Sequence, residues 1–309
     1  MPESKPNFRP DLSSAEWTRT PYVFDRVAPP LSRLQMGGSM TYTPWTERGA
    51  ATTNRDKYDA HTRSHMGSAS VDFVCGEKTS TKDMAQQDVV QGYASLMHAE
   101  LAMAAVGKDE VNTSLESDLA TALLANPVDF TASENLPGDI EDAAAELSDK
   151  TPDAKIALVM STRVFTRLKA CAAIQERMKN TGIAIGEGGD PRKVTAAQMA
   201  AILGVDEIIL GKNTCWGKSK AVLIALPTES KQPNEEVQLA RTLIYRYDPT
   251  AGIPFECTSW FDNDNDTHCV KCKAYATVKV LNAVLKTAFQ LFEEDESDSS
   301  SSGSDSQSA

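Results

Sequence analysis

The stretch KIALVMSTRVFTRLKACAAIQERMKNTG, residues 155–182, shows the sharpest change of pattern in this chain. It begins with six mostly apolar residues, a short run that is typical of a buried strand. Ser161 or Thr162 then stands at the expected N-cap of a helix, where a hydroxyl can accept a bond from a free backbone N–H group. The apolar residues that follow recur on one helical face: Val164, Leu168, Cys171 and Met178. The stretch therefore predicts a buried strand that leads directly into an amphipathic helix.

Helices and strands continue to alternate on both sides of this stretch. Helices are predicted at DIEDAAAELSD (139–149) and at TAAQMAAILG (195–204), the second ended by Gly204. Strands are predicted at DEIIL (206–210), KAVLIAL (220–226), LARTLIYRY (239–247), IPFECTSWF (253–261) and CVKCKAYATVKVL (269–281). The central and C-terminal parts of the chain are therefore of mixed α and β structure.

Apolar side chains recur at helical spacing over an unusual length upstream of this region. STKD at 80–83 resembles a capping box, and Asn126-Pro127 predicts the end of the helix. Gly107 interrupts the pattern, which favours a bend. A helix of roughly 40 residues would be about 60 Å long, too long for the core of an ordinary domain. The pattern predicts a spine helix over Thr81–Ala125.

The first 70 or so residues show neither the helical nor the alternating pattern and cannot form a core alone. Two short extended pieces, TPYVF (20–24) and MTYTPW (40–45), carry aromatic residues, whereas the segment from Thr46 to Ser70 is almost wholly polar. So long a segment without regular structure is uncommon inside a compact domain. We therefore expect it to be disordered or to make its contacts elsewhere.

The composition of the 309 residues, 41% of them hydrophobic, is that of a globular protein. No run approaches the ~20 apolar residues that span a bilayer, and no signal peptide is recognisable. We expect a soluble cytoplasmic protein whose six cysteines are reduced. The net charge of −12 includes a balance of +2 in residues 1–70 and a predicted disordered acidic tail at 293–309. The acidic body argues against a dedicated nucleic-acid binder.

GKNTCWGKSK (211–220) resembles a phosphate-binding loop, but its spacing and its surroundings differ from one. Gly211 and Gly217 enclose five residues instead of four. The residues after Ser219 predict a strand, whereas a phosphate loop needs a helix whose first N–H groups hold the phosphate. We interpret the stretch as a hairpin-like connection between strands. GEGGDPRK (186–193) lacks the full dinucleotide-loop spacing and is interpreted as a flexible loop.

Two polar motifs resemble metal sites but lack an essential residue. HTRSH (61–65) has the two imidazoles of a zinc metalloprotease without its glutamate. Asp262, Asp264 and Asp266 have the spacing of a calcium loop without its glycine and its bidentate glutamate. We interpret both motifs as solvated polar segments.

His268, Cys269 and Cys272 are the best metal candidates, because C-x-x-C can supply two thiolates to zinc. Only Cys257 lies close to them in sequence, and the alternative role of these cysteines is packing within a predicted strand. The chain has neither a nucleophile elbow nor paired carboxylates on an obvious site. We therefore assign no catalytic or cofactor-binding residue and expect no enzymatic activity.

The order of these parts resembles the major capsid proteins of tailed bacteriophages, whose fold is shared with encapsulin compartments. The matching stretches are DLATALLANPVDF (118–130), DIEDAAAELSD (139–149), the stretch at 155–182 and VTAAQMAAILGVDEIILGKNTCWGKSKAVLIALP (194–227). The similarity covers roughly Asp118 to Pro227, and the flanking regions match by order and character. The resemblance implies that Trp216-Gly217 is a packing feature, so that the 211–220 loop binds no nucleotide.

The resemblance implies an α+β phage major-capsid fold and a division of the chain. The expected parts are an N-terminal arm (1–38), an extended loop (39–79), a peripheral domain with the spine helix (80–153), an axial α/β domain (154–268) and a returning strand of the peripheral domain (269–292). An arm and loop without a core make sense if each subunit drapes them over its neighbours. The implied apolar anchors of those contacts are Trp17, Tyr22, Phe24 and Trp45.

The resemblance also implies a function and a set of partners. The chain would form hexamers and pentamers of an icosahedral shell that encloses double-stranded DNA without reading its sequence. It would be a virion component assembled in the host cytoplasm, with no cofactor and no membrane contact. Its partners would be other copies of itself, a portal protein and a separate scaffolding protein, since little sequence precedes the arm.

Two other functions fit the same residues. An encapsulin-like compartment would share the fold but enclose a protein cargo, and co-purification with one enzyme instead of nucleic acid would indicate it. A soluble metal-binding α/β protein would use the Cys269 and Cys272 region, and stoichiometric zinc that is lost on Cys272→Ser would indicate it.

Overall fold

The computed structural model describes residues 7–14, 22–42, 44, 69–151, 154–180, 194–227, 239–246 and 253–293. HTRSH, GEGGDPRK, Trp17, Trp45 and the tail beyond Glu293 lie outside the described residues. Among the helices of the described ranges, none is both long and apolar enough to cross a bilayer.

The described residues form two sheets, a two-stranded ribbon and a set of helices. The strands are β1 (Asn7–Phe8), β2 (Pro30–Arg33), β3 (Gly37–Tyr42), β4 (Ala69–Val74), β5 (Gly76–Ala85), β6 (Val128–Asp129), β7 (Ala154–Ser161), β8 (Glu207–Gly211), β9 (Lys220–Pro227), β10 (Ala240–Tyr245), β11 (Glu256–Asp262), β12 (Thr267–Val280) and β13 (Lys286–Gln290). The helices are α1 (Pro10–Ser14), α2 (Val23–Val27), α3 (Gln86–Gly92), α4 (Leu96–Leu123), α5 (Leu136–Lys150), α6 (Thr162–Ala170), α7 (Ala172–Asn180), α8 (Ala196–Ile202) and α9 (Asn213–Trp216), with a 3-10 turn at Ala283–Leu285.

The strand and helix predicted at residues 155–182 are confirmed, with one interruption. β7 is buried along most of its length, and Ser161 is the N-cap of α6, where its hydroxyl accepts a bond of 3.2 Å from the backbone N–H of Val164. Cys171 has extended backbone angles, so the predicted helix is divided into α6 and α7. The five-stranded sheet is ordered β6-β13-β9-β7-β8. It forms the largest hydrophobic core together with α5, α6, α8 and the C-terminal half of α4.

The spine helix is shorter than the sequence pattern predicts. α4 spans 28 residues, and the predicted N-terminal part over 81–85 belongs to β5, which pairs with β12 from Gly76 to Ala85. The STKD motif is therefore not a helix cap. The helical prediction was wrong there because strand pairing with residues almost 200 positions away overrides the local preference. Gly107 does not interrupt the helix, and its lack of a side chain lets α4 approach β12, where Cys272 lies 3.4 Å from an added Cβ.

The six-stranded sheet gathers strands from distant parts of the chain. β12 pairs with β11 and β5 along its first half and with β10 along its second half, β1 adds to β11, and β2 adds to β10. β10 and β11, predicted within the axial domain at 154–268, pair with β12 in this sheet. β13, predicted within the returning segment at 269–292, joins β9 and β6 in the five-stranded sheet. The domain boundaries themselves stay a prediction. These two boundaries depend on pairing partners, which strand periodicity does not specify.

The described residues of the predicted arm, 7–14 and 22–38, pack against the rest of the chain. Tyr22, Phe24 and Val27 are buried with the residues of the largest core, and β2 pairs in parallel with β10. Among the strands of the described residues, β3 and β4 form a ribbon that pairs with neither of the two sheets. The ribbon lies within the predicted extended loop at 39–79, although its first strand begins two residues earlier.

Candidate functional site

A column of polar side chains is buried along the spine helix α4. Its members are Glu100, Lys108, Asn112 and Glu116. Lys108, Asn112 and Glu116 are four residues apart and lie on one face of the helix, whereas Glu100, eight residues before Lys108, lies further round it. A buried charge without a partner is strongly unfavourable. The partners of these side chains therefore identify the segments that α4 binds.

The N-terminal half of the polar column holds residues 7–14, here called the docked segment. The guanidinium of Arg9 donates to Glu100 Oε2 at 2.6 Å. Lys108 Nζ donates to the carbonyl oxygens of Leu12 at 2.7 Å and Ser13 at 3.1 Å, which lie at the end of α1. A cation at the C-terminal end of a helix satisfies carbonyl groups that have no partner within the helix. Burial lowers the pKa of Lys108, because removing its ammonium group from water costs free energy.

The C-terminal half of the polar column joins three segments at Glu116. Its carboxylate accepts bonds from the backbone N–H groups of Val23 at 3.3 Å and Phe24 at 3.2 Å, at the start of α2. It also accepts a bond of 2.6 Å from the indole Nε1 of Trp216, which is fully buried. Burial raises the pKa of Glu116, and the three donors oppose that shift. Glu116 thus connects the spine helix to the N-terminal region and to the 211–220 loop.

A second polar group closes the same junction at its rim. Tyr22 Oη donates to the Asp109 carboxylate, and Lys212 Nζ donates to Tyr22 Oη at 2.8 Å and to Asp109 Oδ2 at 3.1 Å. The Lys212 ammonium also lies 4.2 Å from the centre of the Tyr22 ring, within the range of a cation–π contact. Burial and the Asp109 carboxylate raise the pKa of Tyr22. The phenol therefore stays protonated and acts as a donor.

The 211–220 loop serves packing and not phosphate binding. A methyl group on Gly211 would overlap the indole of Trp216, so glycine is required at this position by the buried ring. Gly217 has φ = 70°, and β9 follows it as a strand. The predicted hairpin-like geometry is wrong, because β8 and β9 lie on opposite sides of β7 and do not pair with each other. No helix N-terminus follows the loop to hold an anion.

The structure separates the residues that were proposed as zinc ligands. Successive side chains of a strand point to opposite faces, so Cys269 and Cys272, three positions apart on β12, face opposite sides of the sheet. Cys272 is buried against α4, and the His268 ring packs against Phe261 with 4.8 Å between ring centres. Within the described ranges, no group of three or more His, Cys, Asp or Glu side chains is arranged to hold a metal ion.

The proposed inter-subunit anchors Tyr22 and Phe24 lie inside their own chain. Their side chains are 2% and 1% exposed, and their rings stack with 5.3 Å between centres. Their rings therefore offer almost no surface to a neighbouring subunit. Trp17 and Trp45 lie outside the described residues, so their role stays a prediction.

An exposed apolar surface lies beside the ribbon. Leu34 and Met36 precede β3, and Val74 ends β4 opposite Gly37. We call these three residues the apolar corner. Leu34 is 89% exposed and Val74 is 72% exposed, whereas Met40 and Phe73 of the same ribbon are buried in a small cluster with Leu243. The ribbon is thus fastened to the six-stranded sheet on one side and presents apolar side chains on the other.

The polar column was not predicted, although its spacing is visible in the sequence. Glu100, Lys108 and Glu116 each follow by one position an apolar residue of the buried stripe of α4: Ala99, Gly107 and Leu115. A charged residue next to the stripe is ordinarily interpreted as solvent-exposed. Its repetition at intervals of eight residues was the available signal.

The buried amide of Asn112, in the same polar column, is expected to reduce the stability of the protein. Its side chain is 1% exposed, and neither Oδ1 nor Nδ2 has a hydrogen-bond partner within the described part of the chain. Replacing it with leucine, which has a similar shape, should raise the free energy of unfolding by about 1–2 kcal/mol, because a buried amide without partners is removed. Denaturant unfolding measures this change, and Asn112→Ala is the control that also leaves a cavity. A loss of stability in Asn112→Leu would show that the amide is hydrogen-bonded in solution.

Comparisons with known proteins show which solved structures share the fold of this chain. No protein-family model matches the chain, and no curated protein matches it. Among solved structures, it is similar to a phage-related protein from Bordetella bronchiseptica RB50, with a TM-score of 0.60 and 16% identity, covering 92% of this chain and 96% of that one. The capsid of cyanophage P-SCSP1u gives a TM-score of 0.55 at 10% identity, covering 91% of each chain. A virus-like particle from Pyrococcus furiosus gives 0.51 at 9% identity, covering 87% of this chain and 92% of that one.

These similarities extend over about nine tenths of the chain. They also agree with the α+β architecture described above. The chain therefore has the phage major-capsid fold.

Proposed function

We propose that this chain is a major capsid protein that assembles into hexamers and pentamers of an icosahedral shell around double-stranded DNA. The fold supports a role as a shell subunit, and the observation that carries the proposal is the ribbon with its apolar corner. A two-stranded ribbon is at best marginally stable alone in water. In the described chain it pairs with no further strand, so the outer edges of β3 and β4 are available to another subunit.

The apolar corner supplies what an interface between subunits needs. Leu34, Met36 and Val74 are large apolar side chains that are exposed to solvent, and Val74 is fixed in place by its pairing with Gly37 in the ribbon. Apolar side chains clustered on an exposed surface commonly mark protein–protein contacts. In a closed shell the same small contact repeats at every subunit boundary, so many weak contacts together stabilise the assembly.

The charge distribution gives the proposed assembly a preferred direction of docking. Residues 1–70 carry a balance of +2 in a chain of net charge −12. Each exposed ion pair contributes only about 0–1 kcal/mol, so charge would guide the register of subunits more than it would stabilise the shell. The proposal includes a separate scaffolding protein, a portal protein and sequence-independent enclosure of DNA in the virion, with assembly in the host cytoplasm.

The test of this function is assembly of the purified full-length protein. We expect shells, sheets, tubes or capsomer rings in negative-stain electron microscopy and an early peak in size-exclusion chromatography. Leu34→Lys combined with Val74→Lys should abolish these assemblies and give a species near 33.5 kDa, because two charges cannot be buried at the boundary. The melting temperature of the isolated subunit should stay unchanged, since both side chains are exposed.

A matched control places the same substitution elsewhere on the surface. Val284 is 55% exposed in the 3-10 turn, far in sequence from the ribbon, and Val284→Lys should assemble normally. A wild-type protein that stays monomeric at all concentrations, even with its scaffolding protein, would contradict the proposal. Particles that protect one co-purified enzyme and no nucleic acid would indicate an encapsulin-like compartment instead.

A further inference from the structure

We propose that Cys257 and Cys272 are an oxidisable pair that forms a disulfide bond between β11 and β12 beneath the docked segment. The two residues are directly opposite each other in the antiparallel register. Both side chains are fully buried, and their sulfur atoms lie 2.9 Å apart. In this structure both are free thiols.

The backbone around Cys257 shows that the pair has suitable geometry. Its N–H donates to Ser13 Oγ at 3.0 Å, and its carbonyl accepts from the backbone N–H of Arg9 at 2.9 Å. Both main-chain groups therefore point to the docked segment, away from β12, so Cys257 and Cys272 are a non-hydrogen-bonded pair of the ladder. Such pairs have Cα atoms about 4.5 Å apart. That distance is within the range of roughly 4.4–6.8 Å seen for disulfides.

The other cysteines are placed differently. Cys269 lies on the opposite face of β12 from Cys272, and the residue opposite it on β11 is Trp260. Cys75 donates to the carbonyl of Leu243, and Cys215 donates to the carbonyl of Thr113. The geometry thus selects one pair, although Cys269 is nearer to Cys272 in sequence than Cys257 is.

The two thiols have different roles in the oxidation. The two thiols share a hydrogen bond, and this contact lowers the pKa of Cys257 and raises that of Cys272. The nearby ammonium of Lys108 favours ionisation of both thiols. Cys257 lies directly beneath the docked segment and Cys272 is covered by α4, so Cys257 is the thiol that reacts first when the segment detaches.

The oxidant is a small-molecule disulfide such as oxidised glutathione. The Cys257 thiolate attacks one of its sulfurs, the S–S bond breaks, and one glutathione thiolate leaves. Cys272 then loses its proton to solvent and attacks Cys257 Sγ, forming the protein disulfide and releasing the second glutathione thiolate. Two protein thiols are oxidised while one disulfide is reduced to two thiols.

The docked segment controls access to this pair. Leu12 is fully buried against the same cluster as Cys257 and Cys272, and α4 covers Cys272 from the other side through Ala104. A reagent reaches Cys257 only when residues 7–14 leave β11 and α4. The rate of oxidation therefore measures how often the docked segment detaches. Once formed, the disulfide links β11 to β12 beneath that segment.

The experiment uses the full-length protein, purified with reductant and then incubated with oxidised glutathione. Free thiols are blocked with iodoacetamide at intervals, and chymotryptic peptides are mapped by mass spectrometry, since cleavage at Trp260 separates Cys257 from Cys269. We expect Cys257 and Cys272 to become linked, with a loss of two blocked thiols per chain. The linked protein should show a Tm higher by roughly 5 °C.

Three variants make the result specific. Cys257→Ser should abolish the link, while Cys269→Ser should leave it unchanged. Arg9→Ala, which removes the bond to Glu100, should speed linkage on the order of tenfold, and Arg26→Ala, which removes only an exposed pair with Glu207, should not. Two alkylated thiols at Cys257 and Cys272 after prolonged oxidation, in the wild type and in Arg9→Ala, would overturn the proposed pair. An unchanged rate in Arg9→Ala would overturn the control by the docked segment.

Discussion

Glu116→Ala is expected to lower the free energy of unfolding by about 3–5 kcal/mol. The substitution leaves three buried donors without an acceptor: the N–H groups of Val23 and Phe24 and the indole N–H of Trp216. It also leaves space beside a fully buried tryptophan. Guanidinium unfolding of the unassembled subunit, followed by tryptophan fluorescence, measures the loss.

The control for this substitution is Glu146→Ala on α5. Glu146 is exposed and, among the described residues, pairs with Lys150 alone, so its removal should cost less than about 0.5 kcal/mol. Glu116→Gln keeps one acceptor oxygen, so its loss in the free energy of unfolding should lie between the losses of Glu116→Ala and Glu146→Ala. Equal stability of Glu116→Ala and the wild type would contradict the assignment of Glu116 as the junction of the three segments.

The pH dependence offers a second readout on Glu116. Burial raises its pKa in the folded protein above the ordinary value of 4.5, so the folded state binds the proton more tightly than the unfolded state. The contribution of this group to stability is fully present below the unfolded pKa and is lost as the pH rises through the folded pKa. The wild type should therefore gain stability relative to Glu116→Gln as the pH falls from neutral towards 4.5.

Gly211→Ala is expected to destabilise the protein by about 3 kcal/mol, an unusually large effect for a single methyl group. The added Cβ would overlap the indole of Trp216, and that ring cannot easily move because its N–H is bonded to Glu116. The backbone of β8 would have to shift instead. Chemical unfolding monitored by far-UV circular dichroism measures the change.

Gly76→Ala is the matched control, because no other atom lies within 4 Å of the added Cβ and the residue is also in a strand. Its effect should stay within about 0.5 kcal/mol. If the 211–220 loop held a phosphate, Gly211→Ala would reduce nucleotide binding and leave stability nearly unchanged. That pattern would contradict the packing role described here.

The locally encoded elements were predicted well. β7, α6, α8, β8, β9 and the strands β10, β11 and β12 follow from apolar periodicity, caps and glycines that lie within a few residues of each other. Ser161 and Thr195, for example, cap the helices that immediately follow them. Fold class could be inferred because the order of these elements resembles that of a known fold.

The spine helix and the candidate site show what local pattern did not determine. Residues 76–85 form a strand because β12, almost 200 residues later, supplies their hydrogen bonds. Glu116 acquires its role only when Val23, Phe24 and Trp216, each more than 90 residues away in sequence, converge on its carboxylate. Cys269 and Cys272 have metal-ligand spacing, and the pleat of β12 places them on opposite faces.

The sequence by itself determined the helices and strands with strong local periodicity, the α/β alternation and the resemblance to capsid proteins. The tertiary structure alone decided which strands pair, where the N-terminal region docks, and which buried charges find partners. The physical reason is that periodicity and capping energies act over a few residues, whereas strand register and the satisfaction of buried polar groups depend on atoms that only the folded chain brings together.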